Sequence, residues 1–161
     1  IEWYLREYYN VDKILWVDEG IAGDDTDGHI DDSARFVDAT TIVAVMEENK
    51  TEENYIPLRN NLARLQSMTD RTGTPFRIVE LPMPRPFEFD GQRVPASYAN
   101  FLIANGVVLA PTFRDSHDGA ALAILRDLFP DRQVIGIDCY DLIWGLGTLH
   151  CISQQEPLVT P

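Results

Sequence analysis

The spacing of apolar positions along the chain changes several times, and each change marks an element. Short runs rich in Ile, Val, Leu and Phe occupy residues 14–17, 30–37, 41–46, 76–81, 98–104, 107–110 and 133–138, which is the length and composition of strands with a buried face. Two stretches repeat at helical spacing instead. In the first, Tyr55, Leu58, Leu62, Leu65 and Met68 share one side of a helix. Pro57 fits there only in the first turn, where its missing N–H leaves no bond unmade, and this puts Asn54 near the cap. The second runs from about Asp118 to Phe129, presents Leu122, Leu125 and Leu128, and stops ahead of Pro130. Residues 1–9 carry Trp3, Leu5 and Tyr8 among charges with no capping residue in front, and read as the tail of a helix.

Written in order, these elements give a helix and a strand, then strand-strand-helix-strand twice, then a segment from Thr148 to Gln154 that opens a third unit. The two central copies share element order and little sequence. Units of this kind bury their faces by stacking on neighbours. Broken units at both ends lead us to expect a larger array of which this is the later part, with the N-terminus a truncation. The proline-rich stretch 82–95, with its Asp90-Gly91 turn signal, reads as a loop within the second half and not as a linker.

Composition narrows the picture further. With 161 residues, 45% of them hydrophobic, the chain has enough apolar surface for a real core. A net charge of −13 argues against a nucleic-acid surface and allows steering of a cationic ligand, although solubility alone is the better account of an acidic surface. No apolar run is long enough to span a bilayer, so no membrane partner is expected. Cys139 and Cys151 form neither a disulfide framework nor a zinc-type spacing, which makes a reducing, cytoplasmic compartment the expectation.

Candidate chemistry gathers in three polar segments, each near the opening of a unit: Gly20-Ile-Ala-Gly-Asp-Asp-Thr-Asp-Gly-His-Ile-Asp-Asp32, Ala96-Ser-Tyr-Ala-Asn-Phe101 and Gly145-Leu-Gly-Thr-Leu-His-Cys-Ile-Ser-Gln-Gln155. Polar residues recurring at one end of each unit would converge. Two apart in a strand, His29 and Asp31 would share a face, an imidazole able to move protons near neutrality beside a carboxylate able to hold a cation. Alternation along a strand would send His150 and Cys151 to opposite faces, which makes His29 the expected partner of the thiol and leaves His150, with His117, a structural or surface reading. Blander readings stand beside these: Cys151 as an inert buried thiol, His29 as a loop-edge residue, Asn100 as a turn or strand-end residue. Cys139, Trp16 and Trp144 are expected in the core. The acidic stretch Asp24, Asp25, Asp27, Asp31 and Asp32 fails as a calcium loop, because the pattern aligned on Gly28 needs acids where Gly23 and Ala34 stand.

At Gly28-His-Ile-Asp-Asp32, Ser97-Tyr-Ala-Asn100 and His150-Cys-Ile-Ser-Gln-Gln155 the chain resembles the agmatine deiminases and the related bacterial peptidylarginine deiminases of the guanidine-modifying superfamily. The resemblance covers essentially the whole chain. It implies an α/β fold, part of a pentein-type propeller of five similar modules, with residues 1–161 forming the C-terminal portion of one catalytic domain. It also implies conversion of a guanidinium to a ureido group with release of ammonia, as in agmatine to N-carbamoylputrescine. The implied roles are Cys151 as nucleophile, His29 as acid and base, Asp31 as guanidinium ligand and Asn100 as a polar contributor, with no metal or organic cofactor. The implied partner is a small cationic guanidine, and a homo-oligomer or association with N-terminal modules stays open. Leu146 and Thr148 interrupt the glycines that precede His-Cys in the family, and the loop 82–95 is short for the agmatine-specific branch. Deimination of peptidyl arginine therefore remains the alternative, as does a non-catalytic binding or structural module.

Overall fold

The computed structural model of the chain describes residues 1–25, 28–156 and 158. Asp27, counted above in the acidic stretch, lies outside them. A helix α1 (Glu2–Tyr9) leads, with Trp3, Tyr4 and Tyr8 exposed along it. In the first repeated unit β1 (Ala34–Phe36) pairs antiparallel with β2 (Thr41–Met46). Helix α2 (Tyr55–Ser67) then crosses over to β3 (Arg77–Pro82), which lies parallel to β2 from Thr41↔Arg77 to Met46↔Pro82. A short hairpin of β4 (Glu88–Phe89) and β5 (Gln92–Arg93) follows, closed by Asp90 and Gly91, both at positive φ as a tight hairpin turn requires. The second unit repeats the wiring: β6 (Leu102–Ile103) antiparallel to β7 (Val107–Thr112), then α3 (Asp118–Leu128), then β8 (Gln133–Asp138) parallel to β7. The repeat read from element order is therefore present in three dimensions.

The central strand β2 is buried at all six positions, and its alternation divides the interior. Val43 and Val45 join a core that runs across both units and includes Leu58, Leu81, Tyr98, Phe101, Val108, Leu125 and Ile143. Ile42 and Ala44 face the other way, onto Leu65 and the partly buried Leu15 and Val17. The two units are thus joined by shared apolar burial, the term that outweighs the rest in such packing.

Three of the expected strands are altered. Residues 14–17 form no strand among the described residues; the chain there packs by side chains, and its continuation is held by helix α2. The buried amide of Asn61 accepts from Asp18 N–H (2.7 Å) and donates to the Glu19 carbonyl (2.7 Å), and Asn54 Oδ1 accepts from Ala22 N–H (2.7 Å). Asn54 stands at the cap position, as its place ahead of Pro57 suggests, but spends its side chain on this loop rather than on the helix end. Residues 30–37 divide into a 3-10 turn at Ile30–Asp32 and the strand β1. Residues 98–104 contribute only β6; the stretch before it turns, with Asn100 N–H on the Ser97 carbonyl (3.3 Å). Trp16 and Trp144 are not core residues but about half exposed, at 49% and 48%. Trp16 bonds Glu2 through its indole N–H (2.9 Å), and Trp144 packs edge-on against Phe89. Cys139 is fully buried, as expected.

Candidate active site

Each of the three polar segments sits just outside a module's strands: one before β1, one before β6, one after β8. The first depends on a close approach of two glycines. A Cβ on Gly20 would lie 2.4 Å from the Gly28 Cα, and Gly28 has φ +112°. Within the loop so closed, Asp24 Oδ2 accepts the His29 backbone N–H at 2.6 Å and Oδ1 lies 3.4 Å from its Nδ1. The chain then enters the 3-10 turn, with Asp32 N–H on the His29 carbonyl and Ser33 N–H on that of Ile30. Asp31 and Asp32 consequently do not alternate as in a strand: Asp31 borders the site, whereas Asp32 is 1% exposed.

The second segment is fastened to the first. The Ser97 hydroxyl donates to the Asp32 carbonyl (2.7 Å) and accepts the Ala99 N–H (3.1 Å). This delivers Asn100, itself buried, into the middle of the site. The third segment follows a 3-10 helix (Leu142–Gly145) and a left-handed Leu146, then turns so that Ile152 N–H meets the Thr148 carbonyl. Gly147 lies beneath the thiol: a Cβ there would come within 2.6 Å of the Cys151 Cβ and 2.9 Å of Sγ.

Asn100 links all three. Its Nδ2 lies 2.9 Å from Cys151 Sγ, 3.1 Å from Asp31 Oδ2 and 2.8 Å from Asp32 Oδ1. Its Oδ1 accepts from the N–H groups of Thr148 (3.3 Å), His150 (3.0 Å) and Cys151 (3.3 Å) and from the Thr148 hydroxyl (3.0 Å). An amide has two N–H bonds, so the three acceptors at Nδ2 share them. Asp31 Oδ2 collects donors in turn: Asn100, the Cys151 thiol at 3.3 Å and His150 Nδ1 at 2.6 Å.

Of the residues singled out in the sequence, the structure therefore brings Cys151, Asp31 and Asn100 into direct contact across 120 and 51 residues of chain. His29 opens the same turn as Asp31 and is directed to Asp24, while its charge reaches Asp32. His150 is the departure from expectation. It and Cys151 lie in a turn, so strand alternation does not separate them, and its imidazole enters the site on Asp31. Asp32, Ser97, Thr148 and Gly147 also build the site without having been assigned a role in it. Their only trace in the sequence is membership in the three segments.

The charges explain why the groups behave differently. Burial pushes Asp31 up, but hydrogen bonds from His150 and Cys151 and the charge of His150 outweigh it, leaving the carboxyl below its ordinary range. Asp32 is raised to about 7 by burial and by the charge of Asp31, only partly offset by Asn100. Burial also raises the Cys151 thiol; the Asn100 N–H opposes this and the two aspartates add to it. A compensating cation stands close by: Arg35 donates to the carbonyls of Ala99 (3.2 Å) and Phe101 (2.9 Å), lies over the Phe101 ring, and feels the charges of Asp31, Asp32 and Cys151. Donor atoms of Asp31, Asp32 and Cys151 fall within 4.8 Å of one another, a spacing a metal ion could bridge. The Asn100 amide already directs its N–H groups at an atom of each, so a metal ion there would have to compete for those lone pairs.

Residues 1–157 match the profile of the Porphyromonas-type peptidyl-arginine deiminases. The chain belongs to that family. It is 34% identical over 175 residues to the agmatine deiminase of Stutzerimonas stutzeri, an alignment covering 98% of this chain and 48% of the relative. Among solved structures, agmatine deiminase of Enterococcus faecalis superposes with a TM-score of 0.91 at 32% identity, over 97% of this chain and 47% of that one. A Porphyromonas gingivalis protein assigned provisionally as an arginine deiminase does so with a TM-score of 0.92 at 46% identity, over 96% and 46%. The α/β fold is thus the fold of this family, and the chain spans about half the length of the relatives it matches.

Proposed function

We propose that the chain is the C-terminal part of a propeller-type deiminase that converts a guanidinium group to a ureido group, with agmatine as substrate. The observation that carries this reading is the meeting of Cys151 Sγ, Asp31 Oδ2 and Asn100 Nδ2 within 3.3 Å of one another, from three separate modules. Asp31, ionised at neutral pH, supplies the acceptor for a planar cation. To reach Oδ2 the substrate displaces His150 Nδ1, exchanging one N–H donor for another. The guanidinium charge then lies beside the thiol and favours the thiolate that burial and the two aspartates oppose.

The thiolate adds to the central guanidinium carbon, forming a C–S bond. His29 protonates the departing nitrogen, and the C–N bond breaks to give ammonia and an S-linked thiouronium on Cys151. Water, deprotonated by the same imidazole, adds to that carbon; the C–S bond breaks, returning the thiolate and leaving the urea. The half of the relatives' length outside this chain is where we place the remaining propeller modules and further substrate contacts. We take the location to be cytoplasmic; among the described residues no helix is long and apolar enough to cross a membrane.

In the full-length protein Cys151→Ser is expected to abolish ureido-product formation from agmatine, and mass spectrometry of the wild type quenched in turnover is expected to find the thiouronium on Cys151. Persistence of activity in the serine variant overturns the assignment. Peptidyl arginine is the second reading, favoured by the family profile and by the 36% identity to a solved protein assigned provisionally as a peptidyl-arginine deiminase. Turnover of a peptide with C-terminal arginine but not of agmatine would select it.

A further inference from the structure

We propose that Asp32 is a positioning residue: its buried carboxyl fixes which way the Asn100 carboxamide faces, and thereby holds the Cys151 turn in register with Asp31. The role it serves for Cys151 rests on the deiminase reading; the geometry does not. Asp32 is 1% exposed; among the described residues its Oδ1 takes the Asn100 N–H at 2.8 Å, while Oδ2 is buried without a hydrogen-bond partner. A carboxyl so placed is an expensive choice for a purely structural position, where an apolar residue would cost less. What it supplies is an acceptor at one end of Asn100. With Nδ2 committed there, Oδ1 must face the opposite way, onto the N–H groups of Thr148, His150 and Cys151. Were the amide turned over, its NH₂ would confront three backbone N–H donors and its oxygen would confront two carboxylates. The Ser97 hydroxyl on the Asp32 carbonyl locks the two turns together and keeps this arrangement from sliding.

The carboxyl has a second consequence, through charge. It faces Asp31, Asp24, His29, Arg35 and Cys151, with His150 just across Asp31. Ionised, it adds a second negative charge beside the thiol; neutral, it still offers Asn100 an oxygen. Burial and the neighbouring Asp31 favour the neutral form up to about neutrality. The cost of forming the thiolate is therefore set partly by Asp32, and a bound cation relieves both.

Two measurements on the full-length protein that need no turnover test this. Hydrogen exchange of the peptide spanning residues 148–152 reports whether Asn100 still accepts from that turn, and iodoacetamide alkylation of Cys151, followed by mass spectrometry from about pH 6 to 9, reports the thiolate. Asp32→Ala is expected to speed exchange of the turn at least about tenfold, and Asp32→Asn, which keeps an oxygen for Asn100, to restore slow exchange. Asp32→Asn is also expected to alkylate at least about threefold faster than wild type at pH 7 to 8, because a like charge has gone. Exchange in Asp32→Ala no faster than the global loss of stability explains, or equally fast exchange in Asp32→Asn, overturns the positioning role; if Asp32→Ala does not fold, the Asn variant alone decides. Unchanged alkylation in Asp32→Asn overturns the charge coupling. A protein that passes these tests yet turns over no guanidine refutes the proposed function and leaves Asp32's role standing.

Discussion

Asp32→Asn also makes a thermodynamic prediction whose sign and size follow from the site. The carboxyl is ordinary, near 3.8, in the unfolded chain and raised to about 7 in the folded one. Between those values the native state holds a proton that the unfolded chain has released, so the unfolded state binds fewer protons and native stability falls as pH rises, by about 1.4 kcal/mol per pH unit. Below both values the group contributes nothing, and above about 7 the full cost is present, roughly 4 kcal/mol when the interval is taken at face value. An asparagine cannot ionise and escapes this cost. It brings one of its own, since its NH₂ falls where Oδ2 has no partner, but that penalty, about 1 to 3 kcal/mol, does not vary with pH. The diagnostic is therefore the change in the difference between the two proteins and not its absolute value. Urea unfolding of full-length wild type and variant at a series of pH values should show the variant gaining on wild type from about pH 4 to 7 and the difference flattening above that. A difference that stays constant from about pH 4 to 8 would mean that Asp32 is ionised in the native state throughout, and that the electrostatic account of the site is wrong.

Two further substitutions separate packing from chemistry. Gly147→Ala places a methyl within 2.9 Å of the Cys151 sulfur, so it should cost about 1 to 3 kcal/mol or displace the thiol, seen as a lower melting temperature or as slowed iodoacetamide labelling with the fold intact. Asn61→Ala leaves the Asp18 N–H and Glu19 carbonyl without their amide partner, and a loss of about 1 to 3 kcal/mol in chemical denaturation is expected, with protease cutting appearing near residues 18–25.

Much of the fold is legible in the sequence. The positions of β2, α2, β3, β7, α3 and β8 follow from hydrophobic period, because each is a regular element with one or two buried faces and the pattern of burial is written residue by residue. The turns that carry the chemistry are not. Residues 28–33, 97–100 and 147–152 are polar and without a regular period, and each is set by side-chain bonds from far along the chain: Ser97 to Asp32, and Asn100 to Asp31, Asp32 and Cys151. Local propensity has no access to such partners.

The same division holds for the candidate residues. The sequence by itself determined that a thiol, an imidazole, an aspartate and an asparagine occur in motifs of one family, at corresponding ends of repeated units. Only the tertiary structure decided that Asn100 is the hinge point of the site, that Asp31 and Asp32 hold opposite electrostatic characters although adjacent, and that His150 enters the site. The reason is physical. Burial and the distances between charges are properties of the packed state, and two neighbouring carboxyls become different groups when the fold exposes one to donors and seals the other beside it.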